Sequence, residues 1–151
     1  MRILRSVSLT ILFPPTLGRV RASARAQLLA ETLGRQLGLR AMVRVAKTYA
    51  ELEEAVISRA VDMAWAPPSI CARAEERQQT ILKAVRQGRS MYRSVLISRQ
   101  GVSMSVDDLQ GKRAAWVDPL STGGRLLALS LLRERGFDPS TLFSSEQYHG
   151  S

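Results

Sequence analysis

The chain has 151 residues, 45% of them hydrophobic and 23% charged, which suits one folded domain and excludes a disordered composition. Its net charge of +9 is almost all arginine, with lysine only at Lys47, Lys83 and Lys112; the arginines are scattered without aromatic interleaving, which argues against a nucleic-acid surface. A single cysteine, Cys71, and a single histidine, His149, exclude an internal disulfide and argue against a zinc or multi-cysteine metal site.

At the N-terminus, Arg2 and Arg5 precede an apolar run, and Ala22-Ser23-Ala24 has the look of a cleavage site. Pro14-Pro15 interrupts the apolar core that a signal peptide needs, and the alternation up to Phe13 predicts a first strand over 3–13. No stretch reaches the roughly 18 apolar residues that span a bilayer. A helix is predicted over 18–38, with Leu29, Leu33 and Leu37 four apart, Ala22, Ala26 and Ala30 on the neighbouring row, and Gly38 as its stop. A second strand follows over 40–46. Thr48 and Glu51 form a capping box for a helix whose buried face carries Leu52, Ala55 and Val56. A short strand is expected over 62–66, ended by Pro67-Pro68, which open a helix running to about residue 78.

Further strands are expected over 81–85 and 92–99, separated by a break at 88–90. Ser105 should cap a short helical turn that Gly111 stops, followed by a strand over 113–117. The stretch W-V-D-P-L-S-T-G-G-R, residues 116–125, then turns at Asp118-Pro119 into a leucine-rich helix over about 125–135. Beyond Phe143 the chain reads as a polar end with no evident partner strand. The alternation of strand and helix implies a mainly parallel sheet, whose sites lie beyond the carboxyl ends of its strands. One α/β unit precedes Gly88 and a second starts near Ser105, so two lobes joined by a crossover strand are expected.

Residues 116–125 carry the strongest chemical signal. A helix start leaves its first N–H groups unpaired at the positive end of the helix dipole. Gly123 and Gly124 let an anion approach the backbone, and Ser121 and Thr122 add hydroxyl donors. The same residues also suit an ordinary N-cap, and this segment by itself leaves both readings open. No catalytic set accompanies it: the lone histidine lies in the tail, and no Walker-type lysine follows the glycines.

Several stretches resemble one family, the phosphate/phosphite/phosphonate substrate-binding proteins of ABC transporters, which have the type 2 periplasmic-binding-protein fold. They are Lys47-Thr48-Tyr49 before a helix, A-V-D-M-A-W-A-P-P-S over 60–69, and the crossover segment 92–99. They continue with V-D-D-L-Q-G-K-R-A-A-W-V-D-P-L-S-T over 106–122 and Gly136-Phe137-Asp138-Pro139 before Phe143. The resemblance covers the whole chain. It implies an α/β fold with one three-layer α/β/α lobe at 1–88, a crossover hinge at 89–104 and an incomplete second lobe at 105–151.

By the same resemblance, the chain is expected to be the solute-binding component of an uptake system, not an enzyme, and to need no cofactor or metal. Its ligand would be a phosphonate, phosphite or phosphate-like oxyanion held between the lobes, and its partner an ABC permease. Ser121 and Thr122 would donate to the ligand, Tyr92 would reach it from the crossover strand and Tyr49 would close over it from lobe one. Gly123 stands where the family has a third hydroxyl; the family's histidine follows a Gly-Ser pair, and here either His149, just before Gly150-Ser151, stands in for it or that residue lies beyond Ser151. A periplasmic or cell-envelope location is implied, although no convincing signal peptide is present and a cytoplasmic one stays open. A homodimer through the incomplete second lobe is a further expectation, driven by the apolar faces of Leu126, Leu127 and Leu131. The alternatives are a ligand-sensing regulatory module of the same fold and a truncated remnant that does not bind.

Overall fold

The computed structural model describes residues 8–15, 19–77 and 80–150. The predicted strand residues 3–7 and the loop residues 16–18 lie outside them. The chain divides into two compact units, residues 1–78 and 79–150.

The first unit is built on a parallel three-stranded sheet in the order β2-β1-β3. Strand β1 (Ser8–Phe13) is central and pairs with β2 (Arg40–Val45) from Ser8↔Arg40 to Phe13↔Val45. Helix α1 (Arg19–Leu37) connects them. Its inward row differs from the leucine row expected: Ala22 and Ala26 are buried, Leu29 and Leu33 are half-buried and Leu37 is exposed. Alanine at the contact lets a helix lie close to its neighbours, so the longer leucines are carried to the rim of the interface. Gly38 ends the helix at φ +65, and its N–H donates to the Gly34 carbonyl at 3.0 Å, the left-handed C-terminal stop that glycine adopts without strain.

Helix α2 (Tyr49–Ile57) starts as expected. The Thr48 hydroxyl accepts from Glu51 N–H, and the Glu51 carboxylate reaches back to the Lys47 N–H at 2.7 Å. Leu52 and Val56 are buried, while Ala55 is half-buried. Strand β3 (Met63–Ala64) is shorter than expected, yet its flanks are tied in as well. Asp62 N–H donates to the Thr10 carbonyl, the Asp62 carboxylate accepts from Thr10 N–H at 2.7 Å, and Trp65 N–H donates to the Leu12 carbonyl. Helix α3 (Pro68–Arg73) opens on the proline pair and buries Ile70; it gives way to a 3-10 turn at Glu75–Arg77 rather than continuing.

In the second unit the two expected strands over 81–85 and 92–99 do not form. Among the described residues the only pairing there is an isolated bridge between Arg86 and Arg89. Val95 and Ile97 are 74% and 90% exposed. Alternating apolar residues favour a strand only when a neighbouring strand gives them a surface to pack on, and neither stretch has one.

The regular secondary structure of this unit is a β-α-β arrangement. A 3-10 turn, Asp107–Leu109, leads into β4 (Arg113–Trp116). A π-turn, Thr122–Leu126, and α4 (Leu127–Glu134) follow, then α5 (Pro139–Leu142) and β5 (Ser145–Tyr148). Strand β5 corrects the expectation of an unpartnered polar end: it pairs parallel with β4 from Arg113↔Ser145 to Trp116↔Tyr148. Its S-E-Q-Y side chains show no apolar alternation, so backbone hydrogen bonds define it. Flanking bonds extend the pairing, from Ser144 N–H to the Lys112 carbonyl and from His149 and Gly150 N–H to the Trp116 and Val117 carbonyls. The core holds Ala114, Trp116, Ala128, Leu129, Leu132 and Leu142, with Phe143 meeting the Trp116 ring edge-on at 5.7 Å.

Candidate anion-binding site

The site lies where β4 hands over to α4. Past Val117, the Asp118 carboxylate accepts from Leu120 N–H at 2.8 Å and its carbonyl accepts from Ser121 N–H at 3.1 Å. This Asx turn, with Pro119 presetting the backbone, lifts the chain off the strand. Ser121 then takes the N-cap position in extended backbone (φ −69, ψ 113), and its Oγ accepts from Gly124 N–H at 3.1 Å. A capping serine still has its own O–H to donate, so the cap and the anion-donor roles are compatible.

The helix opens with a π-turn, where a plain α-helix was expected from about Arg125. Leu126 N–H donates to the Ser121 carbonyl at 3.1 Å and Leu127 N–H to the Thr122 carbonyl, both five residues back. Such turns are rare and often mark functional positions. Ser121 and Thr122 are buried, at 7% and 9% exposure. Gly124 is packed hard beneath the turn: a Cβ there would lie 2.5 Å from Val117 Cγ2.

The segment expected as a crossover strand, though not a strand, comes to this helix start. The Tyr92 ring lies over Gly123, where a Cβ would be 3.0 Å from Tyr92 Cε2 and 3.5 Å from its hydroxyl. Ser94 Oγ donates to the Gly123 carbonyl. Sequence reading missed Ser94, although it stands two residues from Tyr92 and so shares its face of an extended chain. The structure thus brings together Tyr92, Ser121, Thr122 and Gly123. His149 is exposed and follows β5 directly, its N–H on the Trp116 carbonyl, at the same carboxyl end of the strands. Tyr49 belongs to the first unit, where it opens α2 and is buried at 5% exposure.

Beside the turn stands a second group that the sequence did not disclose. Arg125 Nη2 lies 3.4 Å from Glu146 Oε2, and its guanidinium sits 5.7 Å from the centre of the Tyr148 ring. The Tyr148 hydroxyl donates to the same Glu146 oxygen at 3.0 Å. Desolvation and this bond to Glu146 push the Tyr148 phenol above its ordinary pKa, keeping it a donor. Among the described residues, no cluster of three or more His, Cys, Asp or Glu could hold a metal ion.

A β-α-β lobe with hydroxyls and glycines at a helix start is an α/β arrangement chemically able to accept an anion. Residues 11–151 match the family of periplasmic substrate-binding proteins of phosphonate ABC transporters, and the chain belongs to that family. It is a family of solute-binding transport components, not of enzymes. Three solved structures share the fold. One is a binding-protein component of an ABC phosphonate transporter from Pseudomonas aeruginosa, at a TM-score of 0.77 and 18% identity over 96% of this chain and 51% of that one. Another is PhnD1 from Prochlorococcus marinus in complex with methylphosphonate, at 0.73 and 19% identity over 95% and 56%. The third is a Xanthomonas citri protein bound to ATP, at 0.61 and 17% identity over 95% and 57%.

The chain therefore spans about half the length of these proteins. The fold is that of a type 2 periplasmic binding protein, mixed α/β with parallel sheets. No curated protein matches the chain. Among the described residues, no helix is long and apolar enough to cross a membrane.

Proposed function

We propose that this chain is the solute-binding component of an ABC-type uptake system and takes a phosphonate, phosphite or phosphate-like oxyanion at the start of the π-turn. One observation carries the reading: the Ser121 and Thr122 hydroxyls and the Gly123 backbone stand at one helix start with the Tyr92 ring against them. Each good charge-assisted hydrogen bond to such an anion contributes roughly 1.5–3 kcal/mol, and the helix dipole adds to them. Gly123 in place of a hydroxyl residue leaves that contact to its N–H. Tyr49, in the first unit, and His149, just after β5, are the remaining candidate ligand contacts, both carried by the family resemblance.

Residues 1–88 form lobe one, 89–104 the hinge and 105–151 the part of lobe two present in this chain. The family's description supports a periplasmic location and a permease as partner. The site needs no cofactor, metal or catalytic group. Leu127 and Leu131, both exposed and four apart on α4, offer an apolar face for a homodimer.

The test is titration calorimetry with methylphosphonate, phosphite, phosphate and sulfate, on the parent chain and on Ser121→Ala/Thr122→Ala. The parent should bind the phosphorus oxyanions and the double variant should lose them. A double variant that binds as tightly as the parent would make the helix start a cap and nothing more. Failure of the parent to bind any of the four refutes the reading for this chain.

A further inference from the structure

We propose that Arg125 is a positioning residue for the anion site, acting through the π-turn and not by touching the ligand; this rests on the reading of the helix start as that site. Arg125 is the fourth residue of the turn Thr122–Leu126, and its guanidinium lies against β5, on Glu146 and the Tyr148 ring. Its Nε is buried without a hydrogen-bond partner. A buried, unmatched N–H is costly, so this side chain is a poor choice for packing alone.

Both ends of the clamp are anchored. Glu146 holds Arg125 and the Tyr148 hydroxyl on the same oxygen, and β5 is fixed to β4 by its ladder and by the His149 and Gly150 N–H bonds beyond it. On the other flank, Ser94 Oγ holds the Gly123 carbonyl.

The clamp selects a register. Helix α4 is pinned by buried Ala128, Leu129 and Leu132, so it cannot rotate. If the first turn relaxed from π to α geometry, the segment before it would move by one residue, about 1.5 Å along the axis and about 100° around it. That displacement would carry Ser121, Thr122 and Gly123 away from Tyr92 and Ser94. It would also break the Arg125–Glu146 contact. The π register and the clamp therefore stand or fall together, and the donors at the helix start keep their arrangement only in that register.

The experiment combines amide hydrogen exchange with titration by methylphosphonate on the full chain. The variants are Arg125→Met, which keeps the stem, Arg125→Lys, which keeps the charge without the planar fork, and Glu146→Gln, which keeps an acceptor without the charge. In Arg125→Met and Arg125→Lys, the Leu126 and Leu127 amides should exchange about tenfold faster or more, as expected for local opening. The Leu129 and Leu132 amides should be unchanged, which separates positioning from general loss of structure. Methylphosphonate affinity should fall about fivefold or more in the same two variants, within the range of single-residue positioning effects. Glu146→Gln, which removes the charge that holds the guanidinium, should show the same two changes to a smaller extent, and it serves where an Arg125 variant does not fold.

Unchanged exchange at Leu126 and Leu127 in Arg125→Met overturns the proposal, whatever the parent binds. Faster exchange with unaltered affinity in a binding parent overturns it too. A parent that binds no methylphosphonate, with the exchange pattern as expected, refutes the anion-site reading and the positioning role with it, while the clamp on the turn stands.

Discussion

Replacing Gly124 by alanine probes the packing beneath the turn. A Cβ at that position would lie 2.5 Å from Val117 Cγ2, 2.6 Å from Val117 Cβ and 2.8 Å from Ser121 Oγ. Rotating the Val117 side chain relieves the first contact but not the second, because Cβ is fixed to the backbone. The strand and the turn must therefore move apart. Overpacking of this kind costs about 1–3 kcal/mol. Displacing Ser121 Oγ from Gly124 N–H also weakens an N-cap whose loss costs about 0.5–2 kcal/mol. Against these stands at most about 1 kcal/mol of helix propensity gained from glycine to alanine. The net expectation is a loss of about 0.5–4 kcal/mol, which at about 4–8 °C per kcal/mol in a unit of this size is a fall in Tm. Gly123→Ala is the control. Its Cβ would meet only the Tyr92 ring, 3.0 Å from Cε2, at the far end of a side chain that is 58% exposed and has solvent to move into. That variant should stay within about 1 kcal/mol of the parent. Urea unfolding followed by Trp116 fluorescence in a Trp65→Phe background reads the second unit alone. A Gly124→Ala protein no less stable than Gly123→Ala would refute the packing argument.

Thr48→Ala removes the hydroxyl that accepts from Glu51 N–H and should cost the first unit about 0.5–2 kcal/mol by thermal unfolding. Leu132→Ala, at a residue only 1% exposed, should cost about 2–5 kcal/mol in the same assay, with a cavity left in the second core. Bonds from Ser105 and Ser140 hold Asp108 and Asp138 below the ordinary aspartate pKa of 3.8. Their contribution to stability is thus complete above that value and lost as pH falls through the lower folded pKa. Asp108→Asn/Asp138→Asn should flatten the acid limb of the stability–pH curve below about 4. Light scattering across concentration should show association through Leu127 and Leu131 that Leu131→Glu abolishes; a monomer at every concentration refutes that face as an interface.

Elements with their own local chemistry were legible from the chain. The Gly38 stop, the Thr48–Glu51 cap and the proline entry to α3 each depend on residues a few positions apart, and each appears where expected. The Asp118-Pro119 turn and the Ser121 cap were legible for the same reason. Family membership also followed from motif order along the chain. The stretches over 81–85 and 92–99 misled because β-branched residues raise strand propensity whether or not a neighbour exists to pair with. Strand β5 was hidden for the converse reason: its side chains carry no pattern, and its place comes from a ladder to β4 more than thirty residues earlier.

By itself, the sequence determined the Gly38 stop, the Thr48 and Ser121 caps, the alternation of strand and helix in the first unit, and the presence of two hydroxyls and two glycines at one helix start. Only the tertiary structure decided that Tyr92 and Ser94 meet Gly123, that Arg125 is spent on Glu146 and Tyr148, and that the helix begins in π register. The physical reason is range. Caps, stops and turns are closed by hydrogen bonds within a few residues, so the local sequence specifies both donor and acceptor. Pairings such as Arg125 with Glu146 join groups 21 positions apart. Both partners are visible in the sequence, but the packing of α4 on its core brings them together, and that same packing selects which of two helix registers the site adopts.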